Sequence, residues 1–381
     1  MKYDYIFAGV GLAGLLILHE MMISKVLEGK KILLLDPDEK VNNDRTWCFW
    51  EETKGDWDNI VSKRWKRAVF VNNEKTITCI SEGKNYKMIE SLSFYEQIIG
   101  QLKSYPEIIW KKEKMLSFEE KTSEVVVITE KSIDTASVLF NSVFDYKKIQ
   151  NNREYPLLQQ HFIGWFVRTA TPVFDADCAT FMDFSVAQKG NTRFMYVLPI
   201  SSTEALVEYT LFSATLLEEK EYEIALEDYL IDKGITDFEI IKKEKGIIPM
   251  TAYPFWKENS TRVLHIGTAG GWTKASTGFT FKNSVKQSKR VISFLQKEKI
   301  NFRNFYKTDR FSFYDSLFIA VLYKNNALGY ALFSRMFSNI KPEIVFRFLD
   351  EKSKLIEDVK VILSCPKGPF IKALFAKLMK F

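Results

Sequence analysis

The segment Gly9-Val10-Gly11-Leu12-Ala13-Gly14 follows the apolar run Lys2 to Ala8 and opens a second apolar run that continues through Met22. A G-x-G-x-x-G pattern between a strand and a helix constrains this chain more than any other feature, because each glycine meets a steric demand. Gly9 permits the tight turn, Gly11 removes the Cβ that would block a pyrophosphate, and Gly14 lets helix and strand approach. The helix N-terminus, with Leu12 and Ala13 in its first turn, presents amide donors and partial positive charge to an anion. A second predicted strand, Lys31 to Leu35, ends in Asp36, 22 residues after Gly14, near the ~20 expected of a carboxylate that accepts from ribose hydroxyls. Glycines that merely serve a turn are the bland alternative. Strand, glycines, helix, strand and acid in this order favour a nucleotide cofactor.

A late segment, His265-Ile266-Gly267-Thr268-Ala269-Gly270-Gly271, follows the predicted strand Arg262 to Ile266 and leads to Ser276-Thr277-Gly278-Phe279 and another helix. This would bring backbone amides to the far end of a dinucleotide, as large FAD folds do, with Gly267, Gly270, Gly271, Thr277 and Gly278 as further cofactor contacts. The region between does not repeat the strand–helix alternation of a nicotinamide domain. Strands are predicted over Lys66 to Ile80, Glu124 to Ile128, Ser137 to Phe144, Phe181 to Phe184, Arg193 to Pro199 and Glu204 to Phe212. Glu218 to Lys233 has helical spacing, and residues 284–381 read as mostly helical. The expected fold is α/β in the α+β flavoprotein sense: a Rossmann-like FAD-binding domain, an inserted mixed β-sheet substrate domain and a C-terminal helical region. Residues 1–80 would form the first part of the FAD domain, 81–135 a mixed segment partly within it, and 136–160 a strand and connection of it. Residues 161–255 would form the substrate domain, 256–300 return to the FAD domain with the late glycine loop, and 301–381 form the helical region.

Composition removes several classes. At 46% hydrophobic and 27% charged the chain is an ordinary globular protein, not a disordered one. Cys48, Cys79, Cys178 and Cys365 are isolated and only His19, His161 and His265 accompany them, so neither a disulfide scaffold nor a metal site is expected. The thiols suit a reducing cytosol. No apolar stretch approaches the ~20 residues of a spanning helix, and the best late candidate, Leu317 to Leu322, stops at Lys324, Asn325 and Asn326. The net charge of +6 is mostly C-terminal: Arg335 to Phe381 carries ten Lys+Arg against five Asp+Glu. No nucleic-acid signature accompanies it. Beyond Pro366, Gly368 and Pro369, Lys372, Lys377 and Lys380 fall on one helical arc, with Ile371, Leu374, Phe375, Leu378 and Phe381 opposite. Such a helix either lies on an anionic bilayer surface or docks on the protein with its lysines in water.

The sequence resembles the FAD-dependent lycopene cyclase family of bacterial carotenoid synthesis, from Asp4 to about Phe281. The resemblance rests on Gly9 to Gly14 and on Asn43-Asp44-Arg45-Thr46-Trp47-Cys48-Phe49-Trp50, which is the most specific block. It continues through Leu157 to Trp165, Met182-Asp183-Phe184, Val207-Glu208-Tyr209-Thr210 and Gly267 to Gly271. It implies FAD binding in a Rossmann-like domain of the aromatic-hydroxylase type, conversion of the acyclic ends of lycopene or a related carotene into β-ionone rings, and dependence on prior reduction by NAD(P)H. Family members often place a second acid after the glutamate of the fourth motif, where this chain has Tyr209, and their late loop more often reads K-P-S-T-G-Y, where this chain has Lys274-Ala275-Ser276-Thr277-Gly278-Phe279. A hydrocarbon substrate resides in lipid, so a cytoplasmic protein peripherally associated with the cytoplasmic membrane face is expected.

Ring closure needs a proton delivered to a terminal double bond, shelter for a tertiary carbocation and removal of a ring proton, with no net redox change. Glu208 is the candidate donor because it interrupts an apolar strand between Ala205-Leu206-Val207 and Leu211-Phe212. Raising its pKa from ~4.3 to ~7 costs about 3.7 kcal/mol, within the reach of an apolar pocket. Alternation also permits a solvent-facing strand, with Glu204, Leu206 and Glu208 on one face. A reduced, anionic flavin ~5 Å from the cation contributes on the order of 3 kcal/mol at an effective dielectric of ~20. Asp44 and Arg45 are either a structural ion pair or contacts of flavin and Glu208; Asp183 is a possible further acid. Trp47, Phe49, Trp50, Trp165, Phe166 and Trp272 are candidates for the substrate pocket, while His161 and His265 are read as core histidines. The competing functions are an FAD-dependent monooxygenase or prenyl-chain reductase and a non-catalytic carotenoid-binding flavoprotein. Asp145-Tyr146 and Gly267-Thr268, standing where hydroxylases of this fold carry D-G and G-D, weaken the first.

Overall fold

The computed structural model describes residues 2–80, 83–152, 154–297, 300–306 and 308–379. Its first sheet is built on the apolar strand Lys2–Ala8, which pairs in parallel with Ile32–Leu35 on one side and Ile133–Asn141 on the other. Ile108–Lys111 extends one edge in parallel, Val263–His265 pairs in parallel with Ile133–Asn141, and the antiparallel strands Val125–Thr129 and Met115–Glu120 complete the sheet. The helix Leu12–Ile23 covers this sheet and buries nearly every side chain of its first two turns, so it has no polar face and depends on tertiary packing. The helix Phe281–Leu295 packs against it, and Phe7, Leu16, Phe94, Phe140, Trp272 and Phe281 belong to one core.

A second sheet runs, in spatial order, Phe238–Thr251, Leu157–Thr169, Glu204–Ser213, Thr192–Pro199, Cys178–Asp183, Arg67–Val71 and Thr76–Ile80. The single strand expected over Lys66 to Ile80 is therefore a hairpin, turned through Asn72, whose side chain accepts the amides of Glu74 and Lys75. It joins this second sheet and not the nucleotide-type one. A small third sheet contains Thr46–Glu52, Lys84–Glu90 and Lys63–Trp65, so the Asp44-to-Trp50 block runs into a strand.

The C-terminal region is helical, as expected, and its helices Arg310–Lys324, Leu328–Asn339 and Pro342–Leu349 cover the second sheet through Phe333, Phe337 and Phe346. The helix Lys367–Leu378 lies against Arg310–Lys324, where Lys377 donates to Ser316 Oγ and sits 5.3 Å from the Phe313 ring. Its apolar residues Ile371, Phe375 and Leu378 are the exposed ones. The lysine arc is thus partly the docked side; Lys380 and Phe381 lie outside the described residues. Among the described residues no helix is long and apolar enough to cross a membrane, and no His/Cys/Asp/Glu group could hold a metal.

Candidate active site

A cleft of about 500 Å³ lies between the two large sheets. One part of its wall is Gly9, Gly11, Leu12 and Ala13 with Asp36, and another is Gly267, Thr277, Gly278 and the first turn of Phe281–Leu295. Two helix N-termini therefore open on one space. Gly9 has φ +80° and its amide donates to Leu35 O at 2.8 Å, closing the turn at the strand end. A Cβ at Gly11 would meet nothing within 4 Å, so that backbone faces open cleft. Gly14, Gly270 and Gly271 stand behind the wall: a Cβ at Gly14 would lie 3.3 Å from Gly9 O, and Gly271 packs on Phe255. Asp36 accepts the Val10 amide at 2.7 Å through one carboxylate oxygen, which is also 3.3 Å from Lys40 Nζ. Gln160 Oε1 and Ser284 Oγ, both on the cleft wall, are buried without a hydrogen-bond partner among the described residues. Exposed amides, a bare glycine face and unmet polar atoms fit a phosphate-bearing dinucleotide.

Asp44 and Arg45 enter the cleft just before the Thr46–Glu52 strand. Asp44 Oδ1 accepts from Ser91 Oγ at 2.9 Å and Tyr95 OH at 3.0 Å, while Arg45 Nη1 donates to Asp44 O at 2.6 Å and its side chain is mostly in water. Arg45 thus folds back on Asp44, with its Nη1 3.9 Å from Asp44 Oδ2.

The sheet delivers the acid. Backbone register aligns Glu244, Gly164, Glu208 and Tyr196 in one row across four strands, Glu244 and Glu208 each opposite Gly164 and Tyr196 opposite Glu208. Glu208 is 9% exposed, accepts from Thr210 Oγ1 and lines the cleft with Cys48, Tyr86 and Tyr196. Burial pushes its pKa up to about 8; the neighbouring Glu244 charge adds to the rise and the Thr210 hydroxyl opposes it. The solvent-facing alternative for this residue does not hold, because it is buried, strands pair on both sides of its own, and Cys48 and Tyr86 of the third sheet line the same cleft. The phenols of Tyr86 and Tyr196 are held well above their ordinary range by burial, and burial with the neighbouring acids lifts the Cys48 thiol as well.

Of the aromatic residues expected in the pocket, Trp47 is on the cleft wall. Trp165 is not, because its neighbour Gly164 shares the face of Glu208 and strand alternation sends Trp165 to the other side, among Val167, Tyr222 and Leu226. Phe166 is half-buried beside the core of the second sheet, with Lys242 Nζ 5.2 Å from its ring centroid. Trp50 stands behind the wall, edge-on to Phe279 at 5.0 Å, and Phe49 stacks on Phe281 at 4.8 Å. Trp272 is in the core under the glycine loops. His161 is hydrogen-bonded on both ring nitrogens, to Ser213 Oγ at 2.7 Å and Tyr222 OH at 2.6 Å, and burial pulls its pKa down to about 4. Asp183 accepts from Tyr229 OH at 2.8 Å and pairs with Lys233 at 3.1 Å, away from the cleft wall.

Tyr86, Tyr196, Phe162 and Glu244 line the cleft without having been singled out by sequence. Glu244 carried no signal of its own, because Lys242-Lys243-Glu244-Lys245 reads as a solvated charge run.

A family model described as "Lycopene cyclase protein" matches residues 4–375, continuing well past Phe281 into the C-terminal helices. The chain is 25% identical over 291 residues to a lycopene beta-cyclase of Paracoccus sp. (strain N81106 / MBIC 01143), covering 74% of this chain and 70% of that protein. Among solved structures, a geranylgeranyl bacteriochlorophyll reductase-like protein from Thermoplasma acidophilum aligns with TM-score 0.61 at 12% identity, over 97% of this chain and 98% of that one. A flavoprotein/dehydrogenase from Cytophaga hutchinsonii aligns with TM-score 0.57 at 13% identity, over 94% of this chain and 99% of that one. At such identities these two structures establish the α/β flavoprotein fold and nothing finer.

Proposed function

Since the chain belongs to the lycopene cyclase family, we propose that it is a lycopene β-cyclase that closes the acyclic ends of lycopene into β-ionone rings. The observation that carries the reading is Glu208, a buried carboxyl held neutral near pH 7 in the same cleft as the glycine-lined wall. Its O–H delivers the proton to the terminal double bond. Trp47, Tyr86 and Tyr196 surround the developing cation with aromatic faces, a contribution of about 0.5 to 2 kcal/mol per well-placed ring. The apolar walls keep water from capturing that cation.

Gly9, Gly11, Leu12, Ala13 and Asp36 would hold FAD at one end, with Gly14 bracing the turn behind them, and Gly267, Gly270, Gly271, Thr277 and Gly278 would form or brace the other. Arg45 is assigned to its anionic groups and Asp44 to anchoring that segment on Ser91 and Tyr95. When bound and reduced by NAD(P)H, FAD supplies electron-rich character beside the cation and is not consumed. A membrane surface completes the reading. Leu355, Ile356 and Leu363 on the helix Leu355–Ser364 are each more than half exposed and join Ile371 and Phe375 as an apolar surface suited to the lipid in which a carotene dissolves.

The test is anaerobic incubation of purified protein with FAD, NADPH and lycopene, with ring formation read by chromatography. Rings formed without stoichiometric NADPH consumption support the reading. One equivalent of NADPH consumed per product molecule overturns it and favours a prenyl-chain reductase.

A further inference from the structure

Glu208 does not stand alone in its pocket. Two strands away Glu244 occupies the same row, with Gly164 on the strand between them. A Cβ built on Gly164 would come within 3.5 Å of Glu208 Cβ and 3.3 Å of Glu244 Cγ. The two acids therefore flank the one residue in that row with no side chain of its own, and Leu206 Cδ1 leans over it, 2.8 Å from where a Cβ would stand. Both line the cleft, and among the described residues no lysine or arginine nitrogen forms an ion pair with either. Carboxylates that share one desolvated site disfavour each other's ionisation, so such a pair favours holding one proton between them.

The surroundings assign that proton. Glu208 is faced by Cys48, Tyr86 and Tyr196, which are neutral, and by the Thr210 hydroxyl. Burial lifts the Glu244 carboxyl too, but it accepts from Thr46 Oγ1 at 3.1 Å and lies in the field of Lys242 and Arg45, with Glu90 opposing them. Glu244 is therefore the better carboxylate and Glu208 the better acid.

We propose that Glu244 is the partner base of Glu208, the two carboxyls sharing one proton across Gly164 and restoring it to Glu208 for each ring closed. The inference rests on the reading of Glu208 as the proton donor. In the forward step the Glu208 O–H bond breaks and a C–H bond forms at the CH carbon of the terminal double bond, leaving a tertiary cation; the π pair of a further double bond of the chain forms the ring C–C bond and moves the cation to a ring carbon. When the ring C–H breaks, its electron pair becomes the ring double bond. The proton goes to the Glu244 carboxylate and returns to Glu208. No electron is gained or lost. The strand Phe238–Thr251, two places along the sheet, thus supplies a second acid where Tyr209 follows Glu208 in sequence.

The experiment has an arm that needs no carotene. Infrared titration of the flavin-loaded protein, with Glu208→Gln to identify the band, gives the pH midpoint at which the Glu208 carboxyl loses its proton. In Glu244→Gln that midpoint falls by about one pH unit or more, because the neighbouring negative charge is gone. In the cyclisation arm Glu244→Gln lowers kcat by about 100-fold, the lower end of general acid–base contributions, with KM within about twofold. Glu244→Asp recovers part of kcat, which a merely structural role would not predict. An unmoved midpoint in folded, flavin-loaded Glu244→Gln overturns the pairing. So does full cyclisation by that variant. If Glu208→Gln itself still cyclises, the donor reading fails, and the midpoint shift still decides whether the two acids share a proton.

Discussion

Lys274 Nζ lies 2.9 Å from Asp315 Oδ2, both side chains nearly withdrawn from water, and Glu351 closes the network at 3.3 Å. The pair joins the late glycine loop to the C-terminal helices, since the amides of Thr277 and Gly278 donate to Lys274 O and the Lys274 amide to Phe279 O. Burial alone would pull the lysine down, but the two carboxylates more than offset it and hold Lys274 above its ordinary range. Asp315→Asn leaves a poorly compensated buried charge and is expected to cost about 3 to 5 kcal/mol in urea unfolding, with weaker flavin retention. Replacing both partners, Lys274→Met with Asp315→Leu, should recover most of the stability. A double variant no more stable than Asp315→Asn contradicts this account.

At Gly11 the wall is open, so a methyl group meets no protein atom. Gly11→Ala should therefore keep the melting temperature of the flavin-free protein within a degree or two and lose flavin affinity by tenfold or more. Equilibrium dialysis against FAD checks this. Unchanged affinity would remove the phosphate from this turn.

Glu208 also makes stability depend on pH. Its folded pKa of about 8 lies above the ordinary 4.5, so from that value up to about 8 the unfolded chain ionises while the folded protein holds its proton. The penalty is absent below about pH 4.5 and grows, at about 1.4 kcal/mol per pH unit, until it levels off above the folded pKa. Glu208→Gln should accordingly gain stability over the native protein as pH rises through this window. Cyclisation by the native enzyme should decline as pH passes about 8. Parallel unfolding curves of the two proteins at each pH would contradict the assignment.

Trp165 and Trp47 lie on walls with different duties. Trp165→Leu removes core volume between the second sheet and the helix Glu219–Asp232 and should cost about 3 kcal/mol, leaving cyclisation per folded molecule within twofold. Trp47→Leu should reduce turnover more than stability, since Trp47 borders the cleft. Turnover normalised to bound flavin, together with urea midpoints, separates the two outcomes.

The exposed apolar residues of the last two helices give a membrane prediction. Leu355→Ser with Ile356→Ser and Leu363→Ser should reduce sedimentation with anionic vesicles several-fold, and deletion of residues 370–381 should reduce it further. Lys377→Gln should matter less, because burial against Phe313 and Ser316 turns that lysine from the surface. Undiminished sedimentation of the deleted protein contradicts the anchor.

Local pattern was enough for the nucleotide-type unit. The strand Lys2–Ala8, the turn at Gly9, the helix from Leu12 and the acid at Asp36 are contiguous in sequence, and their steric requirements show in residue type alone. Glu208 was visible for a related reason, as a charge inside an apolar strand. The bend within Lys66 to Ile80 was hidden because Asn72 is an unremarkable residue until its side chain is seen capping the turn.

Sequence by itself determined which residues are available: a glycine turn for a dinucleotide, a carboxyl in a greasy strand, an aromatic-rich block. Tertiary structure decided which of them meet. The pairing register of Leu157–Thr169 with Glu204–Ser213 on one edge and Phe238–Thr251 on the other brings Glu208 and Glu244 together over Gly164 and turns Trp165 away. That register belongs to no single segment. It is set by the packing of both faces of the sheet at once, where a slip of one residue would exchange every buried side chain for its neighbour.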